Sequence, residues 1–162
     1  MKRTNVYKRI LVPIDGSSAA NLGLREALRL ARQHGASVCL FHAVEESFVT
    51  SAGVAVMSPD ELSKAFRDAG REILAKAEAL ARRWGVRARA VLGDPETGPV
   101  ADAIIREAKR CKADLIVMGT HGRRGVRRLV MGSDAEQVLR ETTVPVLMVR
   151  GATPRARRKA SR

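Results

Sequence analysis

Aromatic side chains are scarce in this chain, with three Phe, one Tyr and one Trp among 162 residues. A core must therefore be built from Val, Leu, Ile and Ala, which the 45% hydrophobic content supplies. The same scarcity argues against sequence-specific nucleic-acid recognition, since no aromatic residues are interleaved with the cations to stack on bases. Cysteine is nearly absent too. Cys39 and Cys111 cannot make a disulfide framework; one lies in an apolar run, the other closes a helical pattern, and both read as reduced thiols. No apolar run approaches the ~18 residues a membrane span needs, and Met1 to Tyr7 holds no apolar signal segment. A cytoplasmic protein without membrane insertion is expected.

Acidic residues are the remaining deficit. Asp and Glu number 17 against 30 Lys and Arg, a net charge of +13 that favours anionic partners such as nucleotide phosphates. Part of this excess is local, because residues 153–162 carry five cations, no acid and no large apolar side chain. Residues 151–162 read as a basic, disordered tail, and residues 1–150 as one domain. Counterion release could draw that tail to nucleic acid or an anionic surface, which stays as an alternative role.

What is present is an alternation of strand and helix patterns. Ile10–Ile14 is a short apolar run followed by the turn and cap residues Asp15–Ser18. Leu24, Ala27, Leu28 and Ala31 then recur at helical spacing as far as Gly35, and Ser37–Val44 is a second apolar strand. Glu45–Met57 has no period and reads as a loop. Ser58, Pro59 and Glu61 open the next helix, whose apolar stripe is Phe66, Ile73, Ala77, Leu80 and Trp84. Val86–Leu92 alternates as an edge strand does; Val100, Ile104, Ile105 and Ala108 mark a third helix. Asp114–Met118 is a buried strand, Ser133–Glu141 a short helix and Val144–Val149 the last strand. The order β-α-β-α-β-α-β-α-β implies an α/β fold, a parallel sheet with helices on both faces and a ligand site beyond the carboxyl ends of the strands.

The connection after the fourth strand carries the chemistry. Gly119 and Gly122 permit close backbone approach to an anion, and Gly132-Ser133 opens a helix whose first N–H groups face the same space. The spacing Gly-x2-Gly-x9-Gly-Ser matches neither a P-loop nor Gly-x-Gly-x-x-Gly. Ser133 and Glu136 also fit a capping box, so a cap alone accounts for Ser133. Asp134 suits the helix dipole and opposes a phosphate docked there.

These residues, with Lys8–Ser17, Leu40–Val44, Gly93–Pro95, Asp114–Gly122 and Val144–Arg150, resemble the universal stress protein family, specifically its nucleotide-binding branch. The resemblance implies an open five-stranded parallel sheet of order 3-2-1-4-5, Rossmann-like and adenine nucleotide alpha hydrolase-like. It further implies ATP at the switch between strands one and four, and a homodimer formed through the fifth strand. Asp15 would then contact the ribose hydroxyls beside Pro13 and Ile14, and the Ala43 backbone would meet adenine. Gly119, Gly122, Arg123, Gly132 and Ser133 would line the phosphates, with Met118 at the entrance to the loop. A carboxylate accepting from vicinal hydroxyls and a guanidinium spanning phosphate oxygens are chemically apt for those places.

Each residue also has a plainer role. Asp15 also reads as a cap for the Ser17-Ser18 helix start, His121 as a loop hydrogen-bonding residue, and Arg123, Arg124, Arg127 and Arg128 as a solvated rim. No general base can be placed for water, so catalytic residues are not expected and slow ATP hydrolysis is the alternative. His34 and His42 have no metal-ligand spacing with either cysteine; no metal site is expected apart from Mg²⁺ accompanying ATP. An adenine nucleotide bound by a stress-tolerance factor is the resulting expectation.

Overall fold

The computed structural model describes residues 6–44, 58–94, 98–120 and 132–150. The expected Glu45–Met57 loop, the tail and Gly122, Arg123, Arg124, Arg127, Arg128 and His121 lie outside them. In chain order the elements are β1 (Arg9–Pro13), α1 (Ser18–His34), β2 (Ser37–His42), α2 (Pro59–Arg83), β3 (Ala88–Leu92), α3 (Val100–Arg110), β4 (Leu115–Gly119), α4 (Ser133–Glu141) and β5 (Val146–Val149). All strands run parallel in one sheet ordered β3-β2-β1-β4-β5, the expected 3-2-1-4-5.

Alternation along each central strand divides the core in two. Ile10, Val12, Val38, Leu40, Leu115 and Val117 pack with Leu24, Leu28, Leu74 and Ala77, from α1 and α2. Leu11, Cys39, Phe41, Ile116 and Met118 face the other way, against Ala101, Ile104, Ala135 and Val138 of α3 and α4. Both faces of the central strands are thus dry, which is why they read as unbroken apolar runs.

Helix starts follow local chemistry. Ser17 caps α1, its hydroxyl accepting from the Ala20 N–H at 3.1 Å. Ser58 and Glu61 form the expected capping box ahead of α2. In α2 the buried stripe is Gly70, Leu74, Ala77 and Ala81, whereas Ile73, Leu80 and Trp84 flank it half-buried. Small residues let this helix approach the sheet closely, so the larger apolar side chains that stand out in the sequence lie along its margin. At α4 the cap is Gly132 and no side chain caps the helix. Ser133 is already its first helical residue, so the capping box expected there does not form.

Two outcomes follow. Leu28 is fully buried, and Leu28→Ala should cost about 2–5 kcal/mol in urea unfolding through lost transfer energy and a residual cavity. The Glu61 carboxyl is held below its ordinary range by the Ser58 backbone N–H and then by its hydroxyl. Its capping contribution is therefore complete above the ordinary carboxylate range and fades as pH falls through the depressed value. The difference in urea midpoint between Glu61→Ala and the parent should shrink over that descent.

Candidate nucleotide site at the switch between β1 and β4

The order in which strands are added to the sheet reverses between β1 and β4, and there the two strands part. β1 is in register with β2 along its whole length, from Arg9 opposite Ser37 to Pro13 opposite Phe41. With β4 it pairs only at Ile10–Leu115 and Leu11–Ile116. Pro13 helps explain the parting. The Ile14 N–H donates to Phe41 O on the β2 side at 2.8 Å, so alternation turns Pro13 toward β4, where it has no N–H to give. On β4, the Ile116 and Thr120 N–H groups donate toward β5, to Pro145 O and Val149 O. Alternation therefore aims the Gly119 N–H back toward β1.

Pro13 is half-buried, Ile14 buried and Asp15 half-buried at the end of β1. Asp15 Oδ1 accepts the Ser17 N–H at 2.9 Å, closing a turn in which Gly16 takes φ 82°. Asp15 thus braces the turn ahead of α1, while the capping expected as its plainer role falls to Ser17. His42, at the end of β2, is buried, and its Nδ1 lies 2.7 Å from Ile14 O. A carbonyl can only accept, so Nδ1 carries the proton. Gly70 of α2 lies directly over this imidazole, where a Cβ would meet His42 Cδ2 at 2.7 Å. His42 thus fixes the strand end that carries Asp15, a positioning role that its place in an apolar run did not reveal. Ala43 follows it, half-buried.

Gly119 owes its identity to packing. A Cβ there would lie 2.5 Å from both C and O of Ala19, and one on Gly23 would lie 3.1 Å from Gly119 N. Two glycines therefore seat the start of α1 against the end of β4. Gly119 is not among the positive-φ glycines of the described residues, so a left-handed backbone is not what requires it. Met118, just before it, is buried in the α3/α4 core. The Gly132 N–H donates to Thr120 O at 2.9 Å, bringing together the two ends of the 121–131 connection. The amides left without a helical acceptor are then Ser18 and Ala19 at the start of α1, and Ser133, Asp134 and Ala135 at the start of α4. Both helix starts succeed strands whose carboxyl ends flank the crevice, and their dipoles favour an anion.

This is a doubly wound α/β architecture, with the parting of β1 from β4 at its topological switch. The universal stress protein family model matches residues 6–150. A universal stress protein of Methanocaldococcus jannaschii is 36% identical over 148 residues, covering 90% of this chain and 84% of that protein. Among solved structures, a universal stress family protein from Burkholderia pseudomallei is 35% identical, covers 89% of this chain and 96% of its own, and superposes with a TM-score of 0.71. A universal stress protein of Archaeoglobus fulgidus in complex with dAMP is 26% identical, with a TM-score of 0.60 and coverage of 88% and 98%. The chain belongs to the universal stress protein family.

Because a Cβ at 119 meets backbone and not a flexible side-chain end, Gly119→Ala should destabilise the fold by about 1–3 kcal/mol. An unchanged denaturation midpoint would contradict the close seat of α1 on β4.

Proposed function

We propose that the chain binds ATP in the crevice between β1 and β4 and acts, as a homodimer, in stress tolerance through nucleotide-dependent conformation or partner choice. The observation that carries this reading is the parting of β1 from β4 between two helix starts, with the Asp15 carboxylate held at its mouth. In this reading Asp15 accepts from the ribose hydroxyls, Pro13 and Ile14 form the adjoining wall, and the Ala43 backbone meets adenine. Gly119, Gly122, Arg123, Gly132 and Ser133 surround the phosphates beyond Met118. Since the Gly132 N–H is engaged by Thr120 O, donation at that side falls to Ser133 and the next amides. The Archaeoglobus relative solved with dAMP supports an adenine nucleotide here. Mg²⁺ would accompany the triphosphate, and the cytoplasm, where ATP is abundant, is the fitting compartment. No helix among the described residues is long and apolar enough to cross a membrane.

For the dimer, the supporting feature is β5. It lies at the sheet edge with Val146 to Val149 half-buried, so its apolar side chains and outer backbone favour pairing with a second copy. Val144 and Pro145 would extend that contact.

Calorimetry with ATP and Mg²⁺ tests the site. The nucleotide-stripped protein should bind one ATP per chain, and Asp15→Ala should weaken binding roughly 10- to 100-fold, the loss of hydrogen bonds to a charged group. Absence of binding by the parent protein would sink the proposal. Asp134 lies exposed in the first turn of α4; Asp134→Asn should tighten ATP by about two- to fivefold by removing a like charge at the helix start. Light scattering should return a dimer mass, and a strictly monomeric mass would refute the β5 contact.

A further inference from the structure

On the sheet face away from α1 and α2, the middle of β2 meets the last turn of α3. Cys39 of β2 points into the α3/α4 core. Glu107 and Cys111 stand four residues apart on α3 and its C-terminal cap, hence on one face of the helix. The potential ligand atoms of Cys39, Glu107 and Cys111 all lie within 4.8 Å of one another. Cys39 Sγ is 3.8 Å from Glu107 Oε1, and the Cys111 thiol donates to Ala108 O at 3.7 Å.

Glu107 is the unusual member. Its side chain is 3% exposed, on a helix face otherwise made of Ala101, Ile104 and Ala108. Arg89 approaches Oε1 at 3.4 Å and Arg110 approaches Oε2 at 3.5 Å, both reaching inward from largely exposed positions. An ion pair of this kind reduces the cost of a buried carboxylate. It gives no reason for two thiols to lie within 4.8 Å of the same carboxylate.

We propose that Cys39, Glu107 and Cys111 form a binding site for a soft divalent metal ion, of which Zn²⁺ is the type. Bonds of about 2.3 Å to sulfur and 2.0–2.2 Å to oxygen in a tetrahedron set ligand atoms roughly 3.5–3.8 Å apart. The Cys39–Glu107 separation of 3.8 Å already approaches this spacing, so small side-chain rotations complete it. Thiolate ligands select Zn²⁺ over Mg²⁺ or Ca²⁺, which separates this site from any cation travelling with a nucleotide. On binding, each thiol gives its proton to solvent and each sulfur becomes a ligand. Two thiolates and a carboxylate around a divalent ion leave one negative charge, which Arg89, 3.8 Å from Cys39 Sγ as well, is placed to offset. Cys111 is half-buried, giving the ion an approach from solvent and leaving the fourth position to water.

The test uses the full chain, stripped of metal, reduced with a phosphine and free of nucleotide. Titration with Co²⁺ should give a thiolate-to-cobalt charge-transfer band and tetrahedral d–d bands that saturate at one ion per chain, and Zn²⁺ should displace both. Cys111→Ser, at the helix end, should keep the fold by circular dichroism and lose most of the charge-transfer intensity; Glu107→Gln should weaken Co²⁺ at least tenfold. No saturating band, or a band unchanged in Cys111→Ser, overturns the proposal. So does formation of a Cys39–Cys111 disulfide with hydrogen peroxide in a protein that takes up no metal.

Discussion

The seat of α1 on β4 is the contact on which the arrangement depends. Gly119 and Gly23 remove the side chains that would hold the helix off, and Ala19 backbone fills the space at 119. Because α1 follows β1 in sequence, this approach draws the end of β1, the start of α1 and the end of β4 into one small volume. A bulkier residue at 119 would push the helix start outward. The crevice would then lose one of its two helix dipoles, along with the wall that orients Asp15.

The two faces of the sheet have different polar content. Beyond the strand ends, backbone amides and one carboxylate meet at the parting of β1 from β4, a setting that suits an anion bearing hydroxyls. Behind the sheet, under α3, two thiols and a carboxylate are held among aliphatic residues. The neighbouring Cys111 thiol and burial push Cys39 upward, while closeness to Cys39 lowers Cys111 to about 7. His42 belongs to the first of these faces, through its bond to Ile14 O, and Arg89 to the second. Each holds a neighbouring strand or charge in place.

The order of elements was legible because period and punctuation agree along the chain. Continuous apolar runs mark strands dry on both sides, the α1 spacing names the residues found buried, and Ser58 with Glu61 announces α2. Two of the readings that shifted share one physical cause, which is close packing by small residues. Gly70, Ala77 and Ala81 carry α2 onto the sheet although Phe66 and Trp84 are more conspicuous, and Gly119 is small for the sake of a helix; separately, Ser133 is the first helical residue of α4 and the cap is Gly132. Nothing local distinguishes a glycine that turns from one that lets a neighbour approach.

Sequence by itself determined the class of fold and the order of its strands and helices along the chain. Those signals are local, since they depend on which backbone donors exist and which side chains can be dry. Tertiary structure alone decided which distant residues share a space. Cys39 and Glu107 are 68 positions apart and become neighbours only because β2 lies under α3, and His42 acquires its role only when Ile14 ends beside it. Such contacts depend on sheet order and crossover, and no short stretch of chain encodes either one.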